Sequence, residues 1–137
     1  MSKRSEKAVQ LHRQGYNCAQ AVACAFCDKV GMDEATMFRL TEGFGLGMGG
    51  MQGVCGAVSA CVLLAGLQNS AGALTSPPSK LSTHRLSKQL LDAFREKNGS
   101  IICRELKGAD TGTVLRSCPG CVEDAALLAE QLLFPEK

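Results

Sequence analysis

The alternation of apolar and polar positions is helical along almost the whole chain. Residues 5–14 read as a short amphipathic helix that stops at Gly15. Asn17 suits the N-cap of a second helix over about 18–30, where Cys18, Ala21, Val22 and Ala25 recur at i, i+3, i+4 and i+7. Asp33 caps a third helix, with Met37, Leu40, Thr41 and Phe44 on one face and Gly43 and Gly45 at its end. Over about 54–67 apolar residues face every side, which predicts a central buried helix. Residues 68–82, with Gly72, Pro77 and Pro78, read as an exposed linker. Ser79 or Ser82 caps the next helix, which carries a stripe of Leu86, Leu90, Leu91 and Phe94 and stops at Gly99. Ser100 caps a short helix over 101–107, and a loop covers 108–117. Pro119 suits the first position of a last helix, with a core stripe of Val122, Ala125, Ala126, Ala129, Leu132 and Leu133 and an end at Pro135. No segment alternates with period two for long enough to predict a strand, and no internal repeat is present. The pattern predicts an all-α fold: residues 1–137 as one compact multi-helix domain around the 54–67 helix.

The glycine-dense stretch before that helix, GFGLGMGGMQGVCGAVSA over 43–60, changes the picture. Glycines permit positive φ and let other groups approach the backbone closely. A helix start presents unpaired N–H groups, and a cysteine in its first turn is biased towards thiolate. Cys55, with the backbone of Gly53 and Gly56 beside it, is therefore where sulfur chemistry is expected.

Composition narrows the alternatives. A chain of 137 residues can bury a core without covalent staples. The net charge of +2, with one Tyr and no Trp, gives no basic face or stacking platform for nucleic acid. The first residues lack an apolar signal segment, and the longest apolar run is too short to span a bilayer. The expectation is a cytoplasmic protein that binds neither nucleic acid nor membrane, with a redox partner protein unidentified and homodimerisation left open. Eight cysteines are anomalous in that setting. A reducing compartment does not favour structural disulfides, so metal ligands, cluster ligands or exchanging thiols come into view.

The cysteines follow the helix starts. Cys18 is expected at the first position of its helix, Cys55 in the first turn after the glycine loop, and Cys103 three positions after Ser100. Cys118 is expected at a cap, and Cys121 at the third position of the same helix. Four helix starts that converge would hold thiolates, an anionic cluster or a metal–thiolate group. The expectation is that Cys18, Cys55, Cys103 and Cys118 meet in space. Cys24, Cys27 and Cys61 fall mid-helix and read as small buried residues, with Cys24 towards a polar flank. The pairs Cys24/Cys27 and Cys118/Cys121 are each C-x-x-C, but about ninety residues separate them and the first lies inside a helix without knuckle glycines, which speaks against one shared zinc site. Cys118-Pro-Gly-Cys121 at a helix start is the pattern of a dithiol redox site, balanced against a loop cysteine beside a core cysteine.

Other signals fail. A G-x-G-x-x-G over 45–50 follows no strand and precedes no βαβ unit. His12 and His84 stand alone and read as surface histidines. Met37, Met48 and Met51 are expected to pack rather than ligate.

Asn17-Cys18-Ala19-Gln20-Ala21-Val22, the GFGLGMGG loop, Cys55-Gly56-Ala57, the run Ser100-Ile101-Ile102-Cys103-Arg104-Glu105-Leu106, and Cys118-Pro119 before Val122 occur in this order. Together they resemble the C-GCAxxG-C-C family, over about residues 5–133. By position, the four cysteines after which the family is named are Cys18, Cys55, Cys103 and Cys118. Ala60 stands where the CGAxxG motif ends in glycine. The resemblance implies an intracellular, redox-active protein. It is similar also to a region of split-Soret type cytochromes, for which an iron–sulfur centre has been suggested; this chain has no C-x-x-C-H for haem attachment. Two mechanisms stay open: four thiolates holding an iron–sulfur cluster, or cysteines cycling between dithiol and disulfide with Cys55 or Cys118 attacking and Cys121 as an accessory thiol. The alternative is a non-catalytic module that binds zinc or a partner.

Overall fold

A computed structural model describes residues 2–75 and 78–135. Eight α-helices follow one another in these residues: α1 (Lys3–Arg13), α2 (Cys18–Cys24), α3 (Cys27–Val30), α4 (Glu34–Thr41), α5 (Gly56–Asn69), α6 (Lys80–Asn98), α7 (Cys103–Lys107) and α8 (Cys118–Leu133). No strand occurs among the described residues, and a single antiparallel bridge joins Val54 to Ile102. The all-α class stands. None of these helices is long and apolar enough to cross a membrane.

The glycines and caps set the boundaries. Asp33 caps α4 by accepting a hydrogen bond from the Thr36 N–H. Gly31, Gly99 and Gly108 end α3, α6 and α7 in the left-handed conformation that costs glycine least. The helix expected over 18–30 is two pieces, because the chain turns at Ala25 and Phe26. Arg4, on α1, donates to the Ala25 carbonyl at 2.8 Å and pairs with Asp28, so a contact from far along the chain satisfies the backbone at the turn. Of the expected linker 68–82, residues 68–69 close α5 and 80–82 open α6; the described residues between are exposed, Leu74 most of all, except half-buried Ser79, and Pro77 lies outside the described residues.

α5 is central, two residues later than the sequence suggests. It packs against α2, α6 and α8, while α1 closes over α8. Its inner side is built from small residues: Gly56, Ala57, Ala60 and Ala65 are buried beside Val58, Cys61 and Leu64. Small residues let neighbouring helices approach closely, and Ala60 is fully buried where the motif would have glycine. The burial is not all-round, since Leu63 is half-buried and Leu67 exposed at the open end. α2 is the most enclosed element, with every residue from Cys18 to Phe26 buried. Leu90 and Phe94 of α6, and Val122, Ala125, Ala126, Ala129 and Leu133 of α8, complete the core; Leu40 and Leu132 of the expected stripes face out.

Leu64→Ala removes a fully buried side chain from α5. It is expected to lower unfolding stability by about 2–5 kcal/mol in urea titrations. Leu74→Ala, at a site 99% exposed, should change it by less than about 0.5 kcal/mol. Equal effects would contradict this placement of the core.

Candidate functional site

Four helix starts carry cysteines. Cys18 opens α2 behind a reciprocal cap: Asn17 Oδ1 accepts from the Gln20 N–H at 2.9 Å, and Gln20 Oε1 accepts from the Asn17 N–H at 3.0 Å. The Asn17 amide also donates to the Glu42 carbonyl at 2.9 Å, tying this helix start to the glycine loop. Cys55 is the N-cap of α5, and Cys103 is the first residue of α7. Cys118 is the first residue of α8 rather than its cap, because Ser117 Oγ accepts from the Gly120 N–H at 3.2 Å. Cys103 sits two places nearer its helix start than expected. Ser100 does not cap α7; its hydroxyl accepts from the Ile102 N–H and donates to Glu105.

The backbone brings these starts together. At the Val54–Ile102 bridge the Cys55 N–H donates to the Ile101 carbonyl at 2.7 Å and the Cys103 N–H to the Gly53 carbonyl at 3.0 Å. Cys18, Cys55, Cys103, Cys118 and Cys121 line one cavity, walled further by Leu106, Lys107 and Arg116. It offers only about 10 Å³ for the centre of a water-sized sphere, roughly one water. Within it the thiols lie near enough to shift one another's acidity in the order Cys118, Cys18, Cys55, Cys121. Cys103 stands on the wall outside that order. All eight cysteines are free thiols.

Glycine makes the convergence sterically feasible. A Cβ on Gly56 would lie 2.5 Å from the Cys18 sulfur and 2.8 Å from the Phe44 carbonyl oxygen. A Cβ on Gly47 would collide with the Cys103 side chain, and Gly47 has φ +56° besides. Gly53 contributes its carbonyl, and its N–H donates to Gly47 at 3.0 Å to close the loop.

The thiols differ in acidity. Hydrogen bonds from Cys118 and Cys55, with further N–H groups from Leu46 and Ala19, hold Cys18 well below the usual cysteine range despite its burial. Cys121 is lowered as well, by its contact with Cys55. Cys55 is pushed up by its contacts with Cys121 and Cys18 and by burial, and Cys118 by its contact with Cys18 and by burial. Burial also raises Cys103, against the pull of Lys107. Acidity is thus strengthened at Cys18 and Cys121 and weakened at their neighbours Cys118 and Cys55.

Several residues were missed from sequence. His12, on the last turn of α1, places Nε2 3.4 Å from the Cys118 sulfur, so it is not a free surface histidine. His84 is exposed. Arg116 lies over Gly120 and reaches Asp124 at 3.0 Å, while Lys97 reaches the same carboxylate at 2.9 Å. Asp124 is buried, which works against its charge, yet bonds from Lys97 and Arg116 hold its carboxyl below the ordinary range. Contacts between α1 and α8, or between a loop and α8, leave no local spacing signal. Cys24, Cys27 and Cys61 lie away from the cavity, and the Cys61 thiol donates to the Ala125 carbonyl at 3.2 Å inside the core.

The family model described as "Putative redox-active protein (C_GCAxxG_C_C)" matches residues 16–132, and the chain belongs to that family. No curated protein and no solved structure gives a significant match.

Two predictions follow the geometry of the cavity. Gly56→Ala should displace the Cys18 sulfur and cost about 1–3 kcal/mol in urea unfolding; a cost below 0.5 kcal/mol would contradict the close approach. Stability should also depend on pH with a definite sign. Below about pH 8.5 the unfolded chain keeps a proton that folded Cys18, held well below the usual cysteine range, has lost, so stability rises with pH towards that value, by at most about 1.4 kcal/mol per unit; the lowered Cys121 acts in the same direction. Above about 8.5 the unfolded chain loses protons that folded Cys55, Cys103 and Cys118 retain, so stability falls. Cys18→Ser should flatten the rising limb, and an unchanged limb in that variant would count against a Cys18 thiolate.

Proposed function

We propose that the chain is a thiol–disulfide redox protein that works through Cys118 and Cys18, with Cys55 and Cys121 as a second pair behind them. The observation that carries this reading is that five free thiols line one small cavity, of which only Cys118 is half-buried rather than buried, with His12 beside its sulfur. Cys118 is the most exposed of the five sulfurs around the cavity and meets the disulfide of a partner protein. His12 Nε2, 3.4 Å away, takes its proton. The Cys118 thiolate attacks one partner sulfur and releases the other as a thiolate, leaving a mixed disulfide. Cys18 then attacks Cys118 Sγ, forms the Cys18–Cys118 disulfide and releases the second partner thiolate. Two electrons pass to the partner disulfide, which becomes a dithiol. Exchange from Cys55 onto Cys18 forms a Cys18–Cys55 disulfide, frees the Cys118 thiolate and moves the oxidation inward towards Cys121.

Five soft donors also suit iron or zinc chemically. As placed here the thiols are free groups, and among the described residues no three His, Cys, Asp or Glu side chains stand in the geometry of a bound metal ion. The exchange reading uses them as they stand, and the experiment below separates it from a cluster or a zinc module.

Anaerobically purified protein is expected to be colourless, without stoichiometric metal. Glutathione disulfide should oxidise it to a Cys18–Cys118 disulfide, read by alkylation and peptide mapping. Cys18→Ser should trap a glutathione adduct on Cys118. His12→Gln should slow modification of Cys118 at pH 7 by about tenfold to a hundredfold. Iron with labile sulfide and broad visible absorption, or one tightly held zinc, would overturn the exchange reading.

A further inference from the structure

Outside the cavity, Cys24 and Cys27 form a second cluster of nucleophilic groups. They flank the turn that separates α2 from α3, line one groove, and each shifts the other's acidity. Cys24 is fully buried, with its sulfur 3.9 Å from the Glu34 carbonyl oxygen, whereas Cys27 is half-buried. Both line a surface groove of about 480 Å³ with Lys3, Arg4, Lys7, Asp28 and Glu34. The groove does not share a residue with the five-cysteine cavity.

The turn between the two cysteines is a built feature. An uninterrupted helix would have carried the backbone of 25 and 26 in its own hydrogen-bond ladder. Here Arg4 Nη1 donates to the Ala25 carbonyl at 2.8 Å, its other arm pairs with Asp28, and its guanidinium lies 5.7 Å from the Phe26 ring centre. One side chain thus holds the two intervening residues and the residue after Cys27. A three-residue separation lets two cysteines reach disulfide geometry when the backbone between them is suitably turned. Buried Cys61, whose thiol is committed to a core carbonyl, has no such partner.

We propose that Cys24 and Cys27 are a second, independent dithiol, which a small anionic disulfide oxidises in the groove lined by Lys3 and Lys7. Half-buried Cys27 is the attacking sulfur. It displaces one thiolate from the disulfide and forms a mixed disulfide. Cys24 then attacks Cys27 Sγ, displaces the second thiolate and closes the Cys24–Cys27 bond. Two cysteine thiols are oxidised, one disulfide is reduced to two thiols, and the two cysteine protons go to the departing thiolates. Closure links the last residue of α2 to the first of α3 and so fixes the turn that Arg4 holds in the dithiol form.

The test uses glutathione disulfide as the oxidant on the full chain, followed by alkylation and peptide mapping. Trypsin releases residues 14–29 as one peptide with Cys18, Cys24 and Cys27, and cleavage after Phe26 separates the last two. The expected result is a Cys24–Cys27 bond in the wild type and equally in Cys118→Ser, where the cavity has lost its entry thiol. Cys24→Ser should stop at a glutathione adduct on Cys27, while Cys27→Ser should leave buried Cys24 free. Far-UV circular dichroism and urea unfolding establish that each variant is folded. Both cysteines remaining alkylatable under excess oxidant, or either one bonding to a cavity cysteine, would overturn the proposal. Because the mapping reads each sulfur separately, failure here leaves the Cys18–Cys118 reading standing, and failure there leaves this one.

Discussion

Sulfur is a large atom, and five sulfurs share one small buried space here because the backbone that faces them carries no side chain at the points of contact. Gly56 lies under Cys18 and Gly47 under Cys103, each where a single methyl group would collide. The loop between them is bent to reach these positions. Leu46, Met48 and Met51 all have φ near +60°, at about 1–2 kcal/mol each for residues with a Cβ. Three local bonds offset part of that cost: Gly53 to Gly47, Asn17 to Glu42, and the Leu46 N–H directed at Cys18. The loop is therefore strained in the service of the cavity, and the α2 and α5 starts are fixed through it.

Charge is the second constraint. A buried thiolate needs compensation, and the cavity supplies it with N–H groups, with neighbouring thiols, and with Lys107 and Arg116 on its wall. Arg116 cannot swing freely to the sulfurs, because Asp124 holds it at 3.0 Å. Asp124 in turn is only 1% exposed and takes Lys97 as a second partner. The Arg116 charge favours a negative Cys121 sulfur, but the Asp124 carboxylate that holds it acts the other way and outweighs it, so Cys121 owes its place below the usual cysteine range to Cys55.

What could be read in advance was local. Asn17 before Cys18, Asp33 before Glu34, and Gly99 after Asn98 each act within one turn, so spacing and residue type reveal them. So does the coincidence of cysteines with helix starts, which singled out Cys18, Cys55, Cys103 and Cys118 before any contact was known. What escaped depends on residues far apart in sequence. The break after Cys24 rests on Arg4, and the neighbour of Cys118 is His12, whose own helix gives no hint of a partner. Cys121 stood as an accessory thiol because a C-x-x-C pattern does not say which sulfur it touches; that partner, Cys55, is supplied by α5 packing on α8. Ser117 displaced Cys118 as the cap for a different reason, since a hydroxyl oxygen is a better acceptor of an N–H than a thiol sulfur.

The size of the cavity bears on how such a cluster can be used. The cavity is small, and four of the five cysteines around it are buried. On the proposed exchange reading the reaction begins at the surface, where Cys118 is half-buried and His12 stands beside it. Inward of that point the other thiols line the same cavity, so on that reading oxidation moves by exchange between neighbours without a ligand entering. The attacking sulfur is then helped by a lowered pKa at two places: Cys18 is lowered beside Cys118, and Cys121 is lowered beside Cys55.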